Sequence, residues 1–300
     1  MSSNQKKTLL VTGASGHLGR RVVELLLDTY KGTVIAATRT PEKLADLSKR
    51  GATIRQADFE DLNSLSQAFQ GVDRLLLIST DAVDVPGRRL NQHRNAIKAA
   101  EQAGVSHVVY TSIINPGPDS PAFVAPDHRG TEEALAESKM GWTSLRENIY
   151  MEVLLMSVAR AAQSGKLINA IGEEKAAYIS REDVAQAAFS ALTSSFDGRQ
   201  TLDITGPEAV SQYDIASIAS KLTGKEITYV PVALEDLIKN MTAGGLPRPL
   251  AEAYSSFDAA IAQGKFSIAT NTVEELTGRK PISVADFLSS QRETLVKAAP

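Results

Sequence analysis

The sequence contains no cysteine. Disulfides, thiolate nucleophiles and thiolate metal sites are thereby excluded. The four histidines show no ligand spacing, so no metal is expected. There is no basic block either: 32 Lys and Arg stand against 35 Asp and Glu, a formal net charge of −3. Without a basic patch the chain is a poor electrostatic match for nucleic acid. No apolar run reaches the ~18 residues of a membrane-spanning helix. Residues Met1 to Lys7 are polar and basic and lead into a short apolar strand, without the apolar stretch of a signal peptide. A cytoplasmic protein with a small-molecule substrate is expected, with neither nucleic acid nor membrane as partner. A homodimer is left open.

What is present suffices for a large core, or for one domain and a smaller lobe: 300 residues, 43% of them hydrophobic and 22% charged. Short β-rich runs alternate with amphipathic helical stretches through the first half. The runs are Thr8–Thr12, Thr33–Thr38, Thr53–Gln56, Arg74–Ser79, His107–Thr111 and Thr143–Arg146. Leu75-Leu76-Leu77-Ile78 is continuously apolar, as in strands covered on both faces. Helical patterns lie between them at Leu18–Thr29, Pro41–Lys49, Leu62–Phe69, Leu90–Ala103 and His128–Lys139. Repeated strand–helix units predict an α/β fold, a doubly wound parallel sheet of the Rossmann kind. Beyond about residue 150 helices dominate, with a break at Gly244-Gly245-Leu246-Pro247. The expected domains are a dinucleotide-binding unit over 1–150, completed by segments near 178–206, and a smaller, mainly helical, interleaved lobe over 151–300.

The strongest motif is Thr12-Gly13-Ala14-Ser15-Gly16-His17-Leu18-Gly19, between the first strand and the first helix. Gly13 permits the tight turn, Gly16 removes a side chain that would block a pyrophosphate, and Gly19 lets helix and strand pack closely. Backbone N–H groups from Ser15 to Gly19, His17 and Leu18 included, would then face phosphate at the positive end of the helix dipole. His17 is expected to face solvent and to carry no catalytic role. The second strand ends in Thr38-Arg39-Thr40. An NAD site places a carboxylate there for the ribose 2′-hydroxyl. Arg39, with Lys43 one helical turn later, suits a 2′-phosphate, so NADP(H) is the expected cofactor.

These segments, with Gln56-Ala57-Asp58-Phe59, His107 to Ser112, His128 to Glu132 and Leu145 to Tyr150, resemble the NmrA-like group of atypical short-chain dehydrogenases. Within it the branch containing NADPH-dependent quinone oxidoreductase type 2 and triphenylmethane reductase is most similar, and Ala243 to Pro247 running to Gly264-Lys265-Phe266 shares that likeness. The resemblance covers nearly the whole chain. It implies that Asp58 and Phe59 flank the adenine and that Ser79 and Thr80 line the path to the nicotinamide. It also places Thr111, Ser112 and Asn148 near the nicotinamide end. All follow strand ends, where such sheets bind ligands. Tyr150 and the helical lobe around Leu246–Phe257 are expected to line a substrate pocket.

One further absence limits the chemistry. None of the seven tyrosines is followed four residues later by lysine, so the usual Tyr-x-x-x-Lys acid–base pair of these dehydrogenases is missing. His128 and Glu132 are four apart and share a helix face. A carboxylate there would raise the imidazole pKa and make His128 a proton donor; the alternative is ordinary helix-start chemistry with Asp127 as N-cap. A quinone tolerates the lack of a placed acid, because hydride transfer yields an anion that water protonates. The leading expectation is an NADPH-dependent reductase of quinones or similar conjugated apolar acceptors. The alternatives are a non-catalytic dinucleotide-binding redox sensor, or a reductase of ketones, aldehydes, imines or azo compounds.

Overall fold

The computed structural model describes residues 6–297. The first half is built from β1 (Leu9–Val11), α1 (His17–Thr29), β2 (Val34–Thr38), a 3-10 turn (Pro41–Leu44), α2 (Ala45–Lys49), β3 (Thr53–Gln56), α3 (Leu62–Ala68), β4 (Arg74–Leu77), α4 (Arg88–Gln102), β5 (His107–Ile113), α5 (Ala125–Glu137) and β6 (Gly141–Glu147). Then come α6 (Val153–Ser164), β7 (Lys166–Asn169), β8 (Lys175–Ala176), α7 (Arg181–Thr193), β9 (Arg199–Ile204), β10 (Val210–Ser211), α8 (Gln212–Thr223) and β11 (Thr228–Pro231). Five helices close the chain: α9 (Leu234–Ala243), α10 (Arg248–Ala262), α11 (Thr272–Thr277), α12 (Val284–Ser290) and α13 (Arg292–Lys297).

Seven strands form one sheet in the order β3-β2-β1-β4-β5-β6-β9. The β1–β2, β2–β3, β1–β4 and β4–β5 pairs are parallel. This is the doubly wound order, whose switch point lies between β1 and β4, and ligands bind at such a point beyond the strand carboxyl ends. Every residue of β1, β2, β4 and β5 is buried, as their continuous apolar runs require of strands covered on both faces. Leu10, Ile35, Leu75, Leu77, Val108 and Tyr110 of these strands pack with Leu65, Phe69, Ile97 and Leu135 in one core cluster. On the helix side, α1 buries Leu18, Val22, Val23 and Leu26, one face of its amphipathic pattern.

Contacts divide the chain into two units. The first comprises residues up to Ile113, Asp127–Arg146 and Val184–Leu202. The second comprises Ile114–Pro126, Glu147–Asp183 and the chain from Asp203 onward. The boundary thus falls at Arg146 and Glu147 rather than at residue 150, and the short segment 114–126 enters the second unit, which takes in about half the chain. That unit carries α6 and α8–α13 with two small sheets, a parallel β7–β11 pair and an antiparallel β8–β10 pair. The break at Gly244 to Pro247 separates α9 from α10, as its composition predicts.

In the first unit, Arg74 stands at the opposite end of the sheet from the strand carboxyl ends. It is fully buried at the start of β4. Its guanidinium donates to the carbonyls of Ala191, Leu192 and Phe196 and to Asp197 Oδ1 at 2.8 Å. A buried cation here satisfies the orphan carbonyls at the C-terminus of α7. No helix among the described residues is long and apolar enough to cross a membrane.

Candidate functional site

The glycine turn lies between β1 and α1, as its spacing requires. Gly13 has φ +60°, a left-handed conformation that favours glycine. A Cβ on Gly19 would clash with the Gly13 carbonyl and come within 3.0 Å of Ala14 Cα, so that glycine is needed for helix and turn to close on each other. Gly16 is exposed and is the N-cap of α1. No side chain caps that helix start and its first turn holds no acid, so its free N–H groups and dipole are available to an anion. Leu18 is buried, while His17 is exposed at the first helical position. Ser15 Oγ meets Thr38 Oγ1 at 2.9 Å, tying the turn to the end of β2.

Arg39 and Lys43 are both exposed just beyond β2, and no carboxylate occupies the position after Thr38. At the end of β3, the Asp58 carboxylate accepts from the Glu60 N–H at 3.0 Å and its own N–H donates to Ser64 Oγ. Asp58 therefore stabilises its own turn. Phe59, Glu60, Val85, Pro86, Arg88, Asn91, Gln92 and Asn95 line a cavity of about 300 Å³. Gln92 Oε1 is buried with no partner among the described residues.

Beyond β4 the backbone is held by side chains. Ser79 N–H donates to Thr111 Oγ1 at 2.8 Å, and Thr80 N–H donates to His93 Nε2 at 3.0 Å. These bonds draw Ser79 off the strand, which ends at Leu77, earlier than the apolar run implies. Thr80 Oγ1 is buried and has no partner among the described residues.

Glu132 and His128, which the sequence pairs, do not meet. Glu132 accepts from Arg146 Nη2 at 2.6 Å, Ser144 at 2.7 Å and Ser112 at 2.8 Å. Burial opposes its ionised form, but these bonds outweigh burial and hold its carboxyl below the usual value. His128 is buried between Tyr110 and Arg89, with Nδ1 2.9 Å from the Tyr110 hydroxyl and Nε2 2.9 Å from Arg89 Nη2. Burial first, then the Arg89 charge and the neighbouring His93, push its pKa well below 6.5. The expected elevation is reversed: the carboxylate meant to raise it is taken by Arg146, Ser144 and Ser112. Asp127 lies within the first turn of α5 rather than before it, since that helix starts at Ala125.

In the second unit, Asn148 is buried, and both ends of its amide engage backbone. Nδ2 donates to the Phe266 carbonyl at 3.0 Å and Oδ1 accepts from the Ile149 N–H at 2.8 Å. The Tyr150 hydroxyl donates in a short bond to Glu147 Oε2, and Arg181 lies 5.5 Å from the Tyr150 ring centroid. Glu147 is buried, its Oε1 lacks a partner among the described residues, and burial pushes its carboxyl up to about 8. Sequence reasoning missed Glu147, Arg89 and His93. Their signal is tertiary, since only the fold shows that they are buried and which groups they meet.

The sequence profile of NAD(P)H-binding proteins matches residues 13–195. Quinone oxidoreductase 2 of Escherichia coli (strain K12) is 34% identical over 282 residues, covering 94% of this chain and 97% of that protein. A crystal structure of an E. coli NADPH-dependent quinone oxidoreductase in complex with NADPH superposes with a TM-score of 0.90 at 34% identity, over 94% of this chain and 99% of that one. Triphenylmethane reductase of Citrobacter sp. superposes with a TM-score of 0.87 at 28% identity, over 97% and 99% of the two chains.

Proposed function

The chain belongs to the NAD(P)H-binding family, and from that membership we propose that it is an NADPH-dependent oxidoreductase passing hydride to a quinone or a similar conjugated, apolar acceptor. The residues present fit the dinucleotide. A glycine turn opens onto an uncapped, acid-free helix start, and the position after Thr38 carries the exposed cation Arg39 in place of a carboxylate, with Lys43 exposed one turn later. That combination is the observation that carries the cofactor assignment. The bound nicotinamide would supply the hydride.

The chain's own work is binding and orientation. N–H groups of Ser15 and of the helix start from His17 to Gly19 hold the pyrophosphate, those of Ala14 and Gly16 being taken by the Ala37 and Gly13 carbonyls, and Arg39 with Lys43 holds the 2′-phosphate. Phe59, with the Asp58 turn beside it, takes the adenine. Ser79, Thr80, Thr111 and Ser112 are assigned to the nicotinamide end, and Tyr150 to the substrate. Asn148 is assigned to the nicotinamide end less directly, because its amide already serves the backbone.

For the acceptor, the supporting observation is the state of His128. A neutral imidazole sealed between Tyr110 and Arg89 is a poor acid, and a quinone needs none, since water protonates the hydroquinone anion. A ketone yields a far more basic alkoxide and would need a placed donor. The test is an NADPH-oxidation screen over quinones, triphenylmethane dyes, azo compounds and ketones. Turnover with quinones and not with simple ketones is expected. Tight NADPH binding with no oxidation by any acceptor would instead favour a redox sensor.

A further inference from the structure

The carboxyl end of β4 is built in a way that the glycine motif does not explain. Three successive N–H groups are each captured by a side chain from a different element. Ile78 donates to Thr12 Oγ1 at 2.9 Å, Ser79 to Thr111 Oγ1 at 2.8 Å, and Thr80 to His93 Nε2 at 3.0 Å. The Thr80 carbonyl in turn accepts from Arg89 Nε at 2.7 Å. Arg89 and His93 are four apart on α4 and so share a face. One helix therefore grips the same residue by its N–H and by its C=O.

The protons in this cluster can be assigned. Thr131 donates its hydroxyl hydrogen to the Asp127 carbonyl at 2.7 Å, so its oxygen accepts from His93 Nδ1, 2.9 Å away. His93 is then protonated on Nδ1 and bare on Nε2, which is the tautomer that can receive the Thr80 N–H. Arginine only donates, so His128 Nε2 accepts from Arg89 and its Nδ1–H donates to the Tyr110 hydroxyl. Both imidazoles are neutral acceptors with fixed orientations, and burial together with the Arg89 charge keeps His93 at about 3. The arrangement leaves over the Thr80 hydroxyl and Arg89 Nη1, both buried and without a partner among the described residues. A buried hydroxyl left unpaired is costly, which suits a group awaiting a ligand.

We propose that Arg89 and His93 are positioning residues that clamp Thr80 at the nicotinamide end of the cofactor, with Thr131 and His128 of α5 orienting the two clamping side chains. The proposal rests on the cofactor reading above. His128, which the sequence offers as an acid, becomes a support for Arg89. None of the four touches the reacting atoms; they act by holding the Thr80 backbone so that its free hydroxyl faces the cofactor.

Three measurements test this. His93→Leu removes the acceptor for the Thr80 N–H, while His93→Gln keeps one. His93→Leu should lower kcat for quinone reduction by about 10- to 100-fold per folded molecule, the scale of a small misplacement at a reacting centre. KM for the quinone and the Kd of NADPH should change little, because the turn and Arg39 hold the other half of the cofactor. His93→Gln should restore most of kcat even if its Tm stays as low as that of the leucine variant. A merely structural role would lower Tm in both and leave kcat per folded molecule at the parent value, which would overturn the clamp. Should the leucine variant fail to fold, ¹⁵N NMR of the unsubstituted protein decides. His93 must stay protonated on Nδ1 and bare on Nε2 between about pH 5 and 8, with the Thr80 amide protected from exchange; a titrating His93 would refute the proposal. Absence of NADPH binding in the unsubstituted protein would overturn the cofactor reading and with it the clamp's role, whatever the tautomer, so the two failures are distinguishable.

Discussion

Glu132 faces Arg146, with Nη2 and Oε2 2.6 Å apart, and turns away from His128 one helical turn before it. The helix spacing allows either partner. A long-range cation and two hydroxyls from Ser112 and Ser144 offer a carboxylate far more than a neutral imidazole can. The outcome removes the carboxylate that the helix spacing offers His128.

The pH dependence of stability should report the buried histidines. Burial, with Arg89 and Arg74 respectively, depresses His93 to about 3 and His107 to about 4, and His128 lies well below 6.5. A depressed base takes up its proton first in the unfolded chain, so its contribution is complete above the unfolded value and lost as pH falls. Urea unfolding should show stability declining below about pH 6.5, by about 1.4 kcal/mol per pH unit for each histidine. In a Glu147→Gln, Asp258→Asn background, which removes the two raised carboxyls that slope the other way, a flat profile between pH values of about 6.5 and 4 would mean that these rings are solvated.

Glu147 should produce the opposite slope between about pH 4.5 and about 8. Burial raises its carboxyl to about 8 despite the Tyr150 hydrogen bond. The folded chain therefore holds a proton that the unfolded chain releases above about 4.5, and stability should fall as pH climbs toward about 8, by up to about 1.4 kcal/mol per unit. Glu147→Gln should flatten that arm. An unchanged slope in the variant would show that Glu147 is ionised in the fold.

Arg39→Ala tests the cofactor choice. A hydrogen bond to a charged group is worth about 1.5–3 kcal/mol, or about 10- to 150-fold in affinity. NADPH binding should weaken by that factor and NADH binding hardly change, read by titrating each cofactor. Equal affinities of the unsubstituted protein for NADPH and NADH would remove the 2′-phosphate assignment.

The turn makes two distinguishable predictions. Gly19→Ala forces a Cβ into the Gly13 carbonyl, so both stability and dinucleotide binding should suffer. Gly16→Val adds bulk at an exposed site where a Cβ comes 3.3 Å from the Gly13 carbonyl oxygen, so Tm should fall less than in Gly19→Ala while NADPH binding is lost. A Gly16→Val protein that binds NADPH normally would make the turn structural only.

Arg74→Met should separate fold from function. It strands the buried carbonyls of Ala191 and Leu192, each costing about 1–3 kcal/mol when unpaired, and the part-buried carbonyl of Phe196. The protein should be markedly less stable in denaturant, yet whatever remains folded should bind NADPH with the parent affinity, because Arg74 lies at the far end of the sheet from the glycine turn.

Much of the molecule is legible from sequence because the relevant physics is local. Continuous apolar runs predict the buried parallel strands, alternation with amphipathic helices predicts the doubly wound sheet, and the glycine spacing marks the turn. The position after Thr38 shows by itself that Arg39 stands where an NAD site would place a carboxylate. The missing lysine after every tyrosine excludes one acid–base mechanism by itself. What tertiary structure alone decided depends on partners far apart in the chain: Glu132 with Arg146, 14 residues away, Arg89 with His128, 39 away, and Arg74 with Phe196, 122 away. Burial then sets the protonation of His93, His128 and Glu147. No local pattern contains either quantity, because a side chain's charge state is governed by the water that folding removes and by the groups that folding places beside it.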